Sequence, residues 1–137
     1  MVTPIKTTKT KFERANPILR VADMATAVKY YVDVLGFRNA EWGNDGFTSV
    51  NRDHAGIYLC AGGQGHPGTW VWIGVDDVDD LYQEYAASGA KIRLMPSNYP
   101  WAYEMHVEDT DGHVLRFGSE PKDNVAFAIP NFSSPSP

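Results

Sequence analysis

The sequence predicts an α+β fold built from two βαβββ modules. They form a curved mixed sheet around a central trough, with the helices on the outer face. Three observations carry this. First, the chain uses one opening twice: Leu19-Arg20-Val21-Ala22-Asp23 leads through a helix-like run to Gly36-Phe37, and Trp72-Ile73-Gly74-Val75-Asp76-Asp77 leads through another to Gly89-Ala90. Val21 and Val75 share their offset with Asp23 and Asp77, as expected when one supersecondary unit is used twice. Second, each helix-like run is followed by three short strand-like runs separated by turn residues. Third, Gly62, Gly63, Gly65, Pro67 and Gly68 fall between the two copies, a composition that supports neither helix nor central strand.

In chain order, residues 1–14 read as a flexible arm and residues 15–61 as the first module. Pro17 to Val21 is a short apolar strand. Asp23 can cap a helix by accepting from its free N–H groups. Val28, Tyr31, Val32 and Leu35 then recur at helical spacing and Gly36 ends the helix, expected over 24–35. Strands are expected at 37–43, 46–51 and 56–61, with Asn44-Asp45-Gly46 and Arg52-Asp53-His54 as turns. Residues 62–68 are the linker and 69–119 the second module. There Thr69 to Val75 is a strand, Asp76 or Asp77 is the cap, and a helix over 77–88 carries the stripe Val78, Leu81, Tyr82 and Tyr85. Strands near 91–95, 102–108 and 113–118 follow, the last two joined by the hairpin turn Asp109-Thr110-Asp111-Gly112. Residues 120–137 form an irregular tail, with 125–129 as a possible edge strand.

Bulk properties narrow the function. The chain has 137 residues, 43% of them apolar, enough for a core without staples. The single cysteine, Cys60, rules out an internal disulfide and fits a reducing compartment. A net charge of -5 argues against nucleic-acid binding, and no apolar run reaches the length of a membrane span. The N-terminus lacks a signal-peptide pattern, so a cytoplasmic location is expected. Gly62-Gly63-Gln64-Gly65 lacks the spacing of a phosphate loop.

Three segments, LRVADMATAVKYYVDVLGF at 19–37, TWVWIGVDDVDDLYQEY at 69–85 and PWAYEMHVEDTDGHVLRF at 100–117, resemble the glyoxalase, bleomycin-resistance and extradiol-dioxygenase superfamily, the vicinal oxygen chelate proteins. The last two are most similar to the bleomycin-resistance branch. The enzymes of that superfamily hold a divalent metal in the trough with His or Glu on the first, fourth, fifth and eighth strands. The resemblance places Asn16, Tyr58, Trp70 and Arg116 at those positions. None is a usual ligand, and a fixed guanidinium repels a cation. Glu104, His106 and Glu108 alternate on one strand and share a face, but an ion needs further ligands from elsewhere. No metal, no cofactor and no catalytic residue is therefore expected.

The ligand positions are instead rich in aromatics. Trp70 and Trp72 share a strand face, Tyr58 stands at a ligand position, Phe47 begins the third strand, and Trp101 and Tyr103 enter the seventh. Planar faces on a trough wall suit a flat or cationic ligand; Tyr58, Glu104 and Arg116 would orient its polar groups, and Asn16 and His106 are expected beside them in the binding site. Against this stands the possibility that Trp70 and Trp72 fill the core.

The resemblance implies a metal-independent antibiotic-binding protein of the bleomycin-resistance type. It would sequester a planar, cationic small molecule at the interface of a homodimer without membrane or nucleic-acid partners. The alternative is a metal-dependent lyase, isomerase or dioxygenase with displaced ligands. A blander third reading is a metabolite-binding protein of the same fold.

Overall fold

The computed structural model describes residues 9–129; the beginning of the expected arm and the Ser/Pro end of the expected tail lie outside the described residues. The elements follow in the order β1 (Ile18–Arg20), α1 (Met24–Lys29), β2 (Arg38–Asn39), β3 (Phe47–Arg52), β4 (Ala55–Cys60), β5 (Trp70–Gly74), α2 (Val78–Ser88), β6 (Lys91–Asn98), β7 (Tyr103–Glu108) and β8 (Val114–Ser119). The strands build two four-stranded mixed sheets, ordered β1-β4-β3-β2 and β5-β8-β7-β6. In both, the first strand pairs parallel with the last and the other pairings are antiparallel. The duplication seen in the sequence is thus a duplication of topology, and the sheets do not close into a barrel.

Asp23 and Asp77 cap the two helices, accepting from the backbone N–H of Thr26 and Asp80 at 3.1 and 3.0 Å. Gly89, left-handed at φ 86°, closes α2. After Lys29 the first helix widens into a π-helical turn, Tyr30–Val34. The widening turns neighbouring tyrosines toward the second module. The Tyr30 hydroxyl donates to the Glu108 carbonyl at 2.7 Å, and that of Tyr31 to Asp109 at 2.8 Å. The strand expected at 37–43 is reduced to two residues, because the chain turns at Ala40, where the Gly43 N–H donates to the Ala40 carbonyl. Trp42 is carried out of the sheet by this turn.

Leu19, Leu35, Ile57 and Leu59 from one module and Leu81, Tyr85, Met105 and Leu115 from the other belong to a single buried cluster. Each such side chain contributes about 1.5–3 kcal/mol on burial. Polar contacts at the seam fix the relative placement of the modules. The Tyr85 hydroxyl donates to the Leu35 carbonyl at 2.7 Å, and Arg52 grips Glu84 with two bonds of 2.7 and 2.8 Å. Linker residue Gly65 lies so close to β1 that a Cβ would stand 2.7 Å from the Arg20 nitrogen, so the linker can cross there only without a side chain. Beyond β8, the buried Asn98 side chain holds the chain back, donating to the carbonyls of Lys122 and Val125 and accepting from the Lys122 N–H. Among the described residues no helix is long and apolar enough to cross a membrane.

Candidate ligand-binding faces

With the helices covering one face of each sheet, strand alternation leaves the other face open. On the second sheet the register places Trp72 beside Arg116, and Arg116 beside His106. Trp70, Trp72, Glu104, His106 and Arg116 therefore share the open face, with Val71, Ile73, Met105 and Phe117 on the core side. Trp70 and Trp72 are each 51% exposed, so they do not fill the core. Trp72 lies flat over Gly118, where a Cβ would sit 2.0 Å from its ring. Any other residue at 118 would lift the indole off the sheet.

The charges of this face satisfy one another. Glu104, only 1% exposed, accepts from Arg116 Nε at 2.8 Å and Nη2 at 3.2 Å, from Trp101 Nε1 at 3.0 Å, and hydrogen-bonds His106 Nε2 at 2.9 Å. Burial resists ionisation of Glu104, but the donors and the positive charge of Arg116 outweigh it, and its pKa lies below the ordinary value. Burial lowers the pKa of His106, with the Glu104 carboxylate opposing. The guanidinium of Arg116 also stacks on Trp72, and that of Arg93 on Trp70, each 5.4 Å from the ring centroid. Arg93 and Lys91 reach Glu108 at 3.9 and 3.2 Å.

Trp101 reaches this face from the loop before β7 and stacks on Tyr99, with centroids 4.9 Å apart and planes within 3°. Tyr103 points the other way. Its hydroxyl donates to Asp79 of α2 at 2.5 Å, and burial together with that carboxylate pushes its pKa up to about 12. Trp72, Trp101, Tyr103 and Gly118 wall a cavity of about 850 Å³ whose rim carries Asp76, Asp77, Glu120 and Lys122.

The first sheet has its own open face. Phe47 and Tyr58 lie on it with ring centroids 5.3 Å apart, and Trp42 packs on both at 6.3 and 6.4 Å. Asn16 donates to the Gly56 carbonyl at 2.9 Å. A second cavity, about 560 Å³, lies between the modules and is lined by Asn16 from one and Trp72 from the other. The structure therefore gathers Trp70, Trp72, Trp101, Glu104, His106 and Arg116 around the second sheet and Asn16, Phe47 and Tyr58 around the first.

Sequence reasoning missed Trp42, Arg93 and Tyr99. Trp42 belongs to a turn with no periodicity to orient it. A bulge between Ile92 and Leu94 shifts the alternation where Arg93 sits. Tyr99 had a usable signal, because it stands two residues from Trp101 across Pro100.

A metal at the superfamily's ligand positions does not fit these residues. Asn16, Tyr58, Trp70 and Arg116 offer no imidazole, thiolate or carboxylate at those positions, and the Glu104 oxygens on the same face are already taken by Arg116 and Trp101. Among the described residues no group of three or more His, Cys, Asp or Glu side chains is placed to hold an ion.

A family model described as the Glyoxalase/Bleomycin resistance protein/Dioxygenase superfamily matches residues 12–117. The chain belongs to this superfamily. No curated protein matches it. Among solved structures, this superfamily member is similar to the bleomycin-binding protein from the bleomycin-producing Streptomyces verticillus, solved with copper(II)-bleomycin. The identity is 26%, the TM-score 0.68, and the match covers 82% of this chain and 99% of that one. It also shares its fold with TnmS3, an antibiotic-binding protein from Streptomyces sp. CB03234, at 20% identity and TM-score 0.69, covering 82% and 99%. TioX from Micromonospora sp. ML1 follows at 23% and 0.66, covering 79% and 99%.

Proposed function

We propose that the protein is a metal-independent binding protein of the bleomycin-resistance type, which sequesters a planar, cationic small molecule and does not transform it. The observation that carries this reading is the pair of exposed indoles, Trp72 and Trp101, on the wall of the 850 Å³ cavity with acidic residues at its rim. Flat rings beside carboxylates favour a flat cation. Glu104 is committed to Arg116, so pairing with the ligand's positive charge falls to Asp76 and Glu120. Asn16, Phe47 and Tyr58 would meet the ligand from the first sheet. The likeness to a protein solved with bound copper(II)-bleomycin supports the ligand class.

Stacking on each indole is worth about 0.5–2 kcal/mol. Two or three such contacts with one charge pair reach micromolar affinity, roughly -8 kcal/mol. Tryptophan fluorescence titration with bleomycin-type glycopeptides and smaller planar cations tests this. Trp72→Ala and Trp101→Ala are each expected to weaken binding about three- to thirtyfold. Unchanged affinity in both variants removes the stacking mechanism, and recovery of a converted ligand removes sequestration.

The reading includes a homodimer. β1, β2, β5 and β6 are sheet edges, and the aromatic faces lie open, with Trp42 60% exposed. Pairing of two copies would cover both features. Sedimentation at micromolar concentration is expected to give twice the chain mass; a monomer there counts against it.

A further inference from the structure

Every cation on the open face of the second sheet is committed. Arg116 is held by Glu104 and Trp72, and Arg93 by Glu108 and Trp70. The first sheet differs. Arg20 alternates with the buried Leu19 on β1, and the register sets Arg20, Cys60 and Phe47 in one row across β1, β4 and β3, with Ile18, Tyr58 and Ser49 in the next. Its side chain thus belongs to the open face that carries Phe47 and Tyr58. Among the described residues Arg20 Nε is the only buried side-chain nitrogen or oxygen without a hydrogen-bond partner. The Arg20 guanidinium also makes no ion pair with a described residue. A buried N–H left unmatched is costly, and native chains satisfy such a group with protein, ordered water or a bound group.

We propose that Arg20 is the anchor for an anionic oxygen, a carboxylate or its like, on the bound molecule, which lies on the Phe47–Tyr58–Trp42 face of the first sheet. This rests on the reading above that the open aromatic faces take a planar small molecule. It adds that the ligand presents opposite chemistry to the two modules. One end is a cation toward Trp72, Trp101 and the acidic rim; the other is an anion toward Arg20. The planar guanidinium fits a carboxylate with two parallel donors, Nε–H among them, which an ammonium cannot reproduce. The rings of Phe47 and Tyr58 supply the apolar floor beside it.

The test is calorimetric titration of the full chain with three probes of one ring size: 2-naphthoate, neutral 2-naphthamide and cationic 2-naphthylmethylammonium. Wild type is expected to bind naphthoate more tightly than naphthamide. Arg20→Met should weaken naphthoate about ten- to hundredfold and leave the ammonium probe unchanged. Arg20→Lys, which keeps the charge without an N–H at the Nε position, should recover only part, and it serves alone if the methionine variant does not fold. Equal binding of naphthoate and naphthamide to wild type overturns the proposal, as does full recovery by lysine. Loss of dimer in Arg20→Met with naphthoate affinity intact also overturns it, because the acceptor would then sit on a second copy. Binding of the ammonium probe that depends on Trp72, without Arg20-dependent binding of naphthoate, defeats this inference and leaves the proposed function standing. The reverse pattern defeats the cation reading and leaves Arg20 in place.

Discussion

Glu104→Leu is expected to destabilise the protein by about 3 kcal/mol, measured by urea denaturation at neutral pH. The change strands Arg116, leaves the Trp101 N–H without its acceptor, and removes the partner of His106. Breaking a buried ion pair costs roughly 3–5 kcal/mol, and the lower end applies because the Arg116 side chain is 29% exposed and can turn to water. The double variant Glu104→Leu with Arg116→Met is expected to recover more than half of the loss, since removing both charges also removes the desolvation penalty. The increment depends on pH with a definite sign. A carboxylate whose folded pKa is depressed stabilises the fold above its unfolded value, ordinarily 4.5, and loses that contribution as pH falls through the folded value. Wild type and variant should therefore converge in acid. In the same variant the His106 pKa, read by NMR, should fall further, because burial lowers it and only Glu104 raises it. A variant within about 1 kcal/mol of wild type at neutral pH, or a rise in the His106 pKa, would show that Glu104 is not the centre of this face.

Much of this site could be read from the chain because strands alternate strictly. The spacing of Trp70 and Trp72, and of Glu104, His106 and Glu108, puts each set on one face, and the structure keeps them there. The fold was legible for a related reason. A repeated strand, cap and helix stripe leaves few ways to pack two copies, and both sheets have the same strand order. What alternation cannot give is which charges are already paired. By sequence Glu104 is free to meet a ligand; in the structure its oxygens hold Arg116, a diagonal contact set by the β7–β8 register. The turn at 109–112 determines that register, so the signal was present. Arg20 is the opposite case: its face follows from the alternation with Leu19, but a missing partner is a property of everything around it. Tyr30 shows a third limit. A stripe drawn at the helical period turns Tyr31 inward and Tyr30 away, and the π-helical turn brings both to the second module.

His113→Ala is expected to cost about 3–4 kcal/mol, from two lost buried hydrogen bonds and the cavity left by the ring. The residue stands directly after the hairpin turn, at the start of the strand expected over 113–118, and it is fully buried and joins three separate parts of the chain. Its Nδ1 accepts from the Thr69 N–H at 3.0 Å, where the linker enters the second module, which places the ring proton on Nε2. Nε2 then donates to the Arg20 carbonyl at 2.6 Å, at the end of β1 in the first module. The rest of the turn acts in the same direction. Asp109 accepts from the His113 and Asp111 N–H groups and from the Tyr31 hydroxyl, and Asp111 accepts from the Ala22 N–H at 2.8 Å. The turn is therefore a clasp between modules, and its imidazole is the part that reaches furthest. Two substitutions separate the halves of the clasp. His113→Asn keeps an acceptor near Thr69 and loses the reach to Arg20; His113→Gln keeps the donor to Arg20 and loses the acceptor. Each is expected to cost about half as much as alanine. Hydrogen exchange should report the same division, with the Thr69 amide losing protection in the glutamine variant and keeping it in the asparagine variant. If alanine costs less than about 1 kcal/mol, or if Thr69 exchanges alike in all three variants, the modules are held by their shared core and the clasp contributes little.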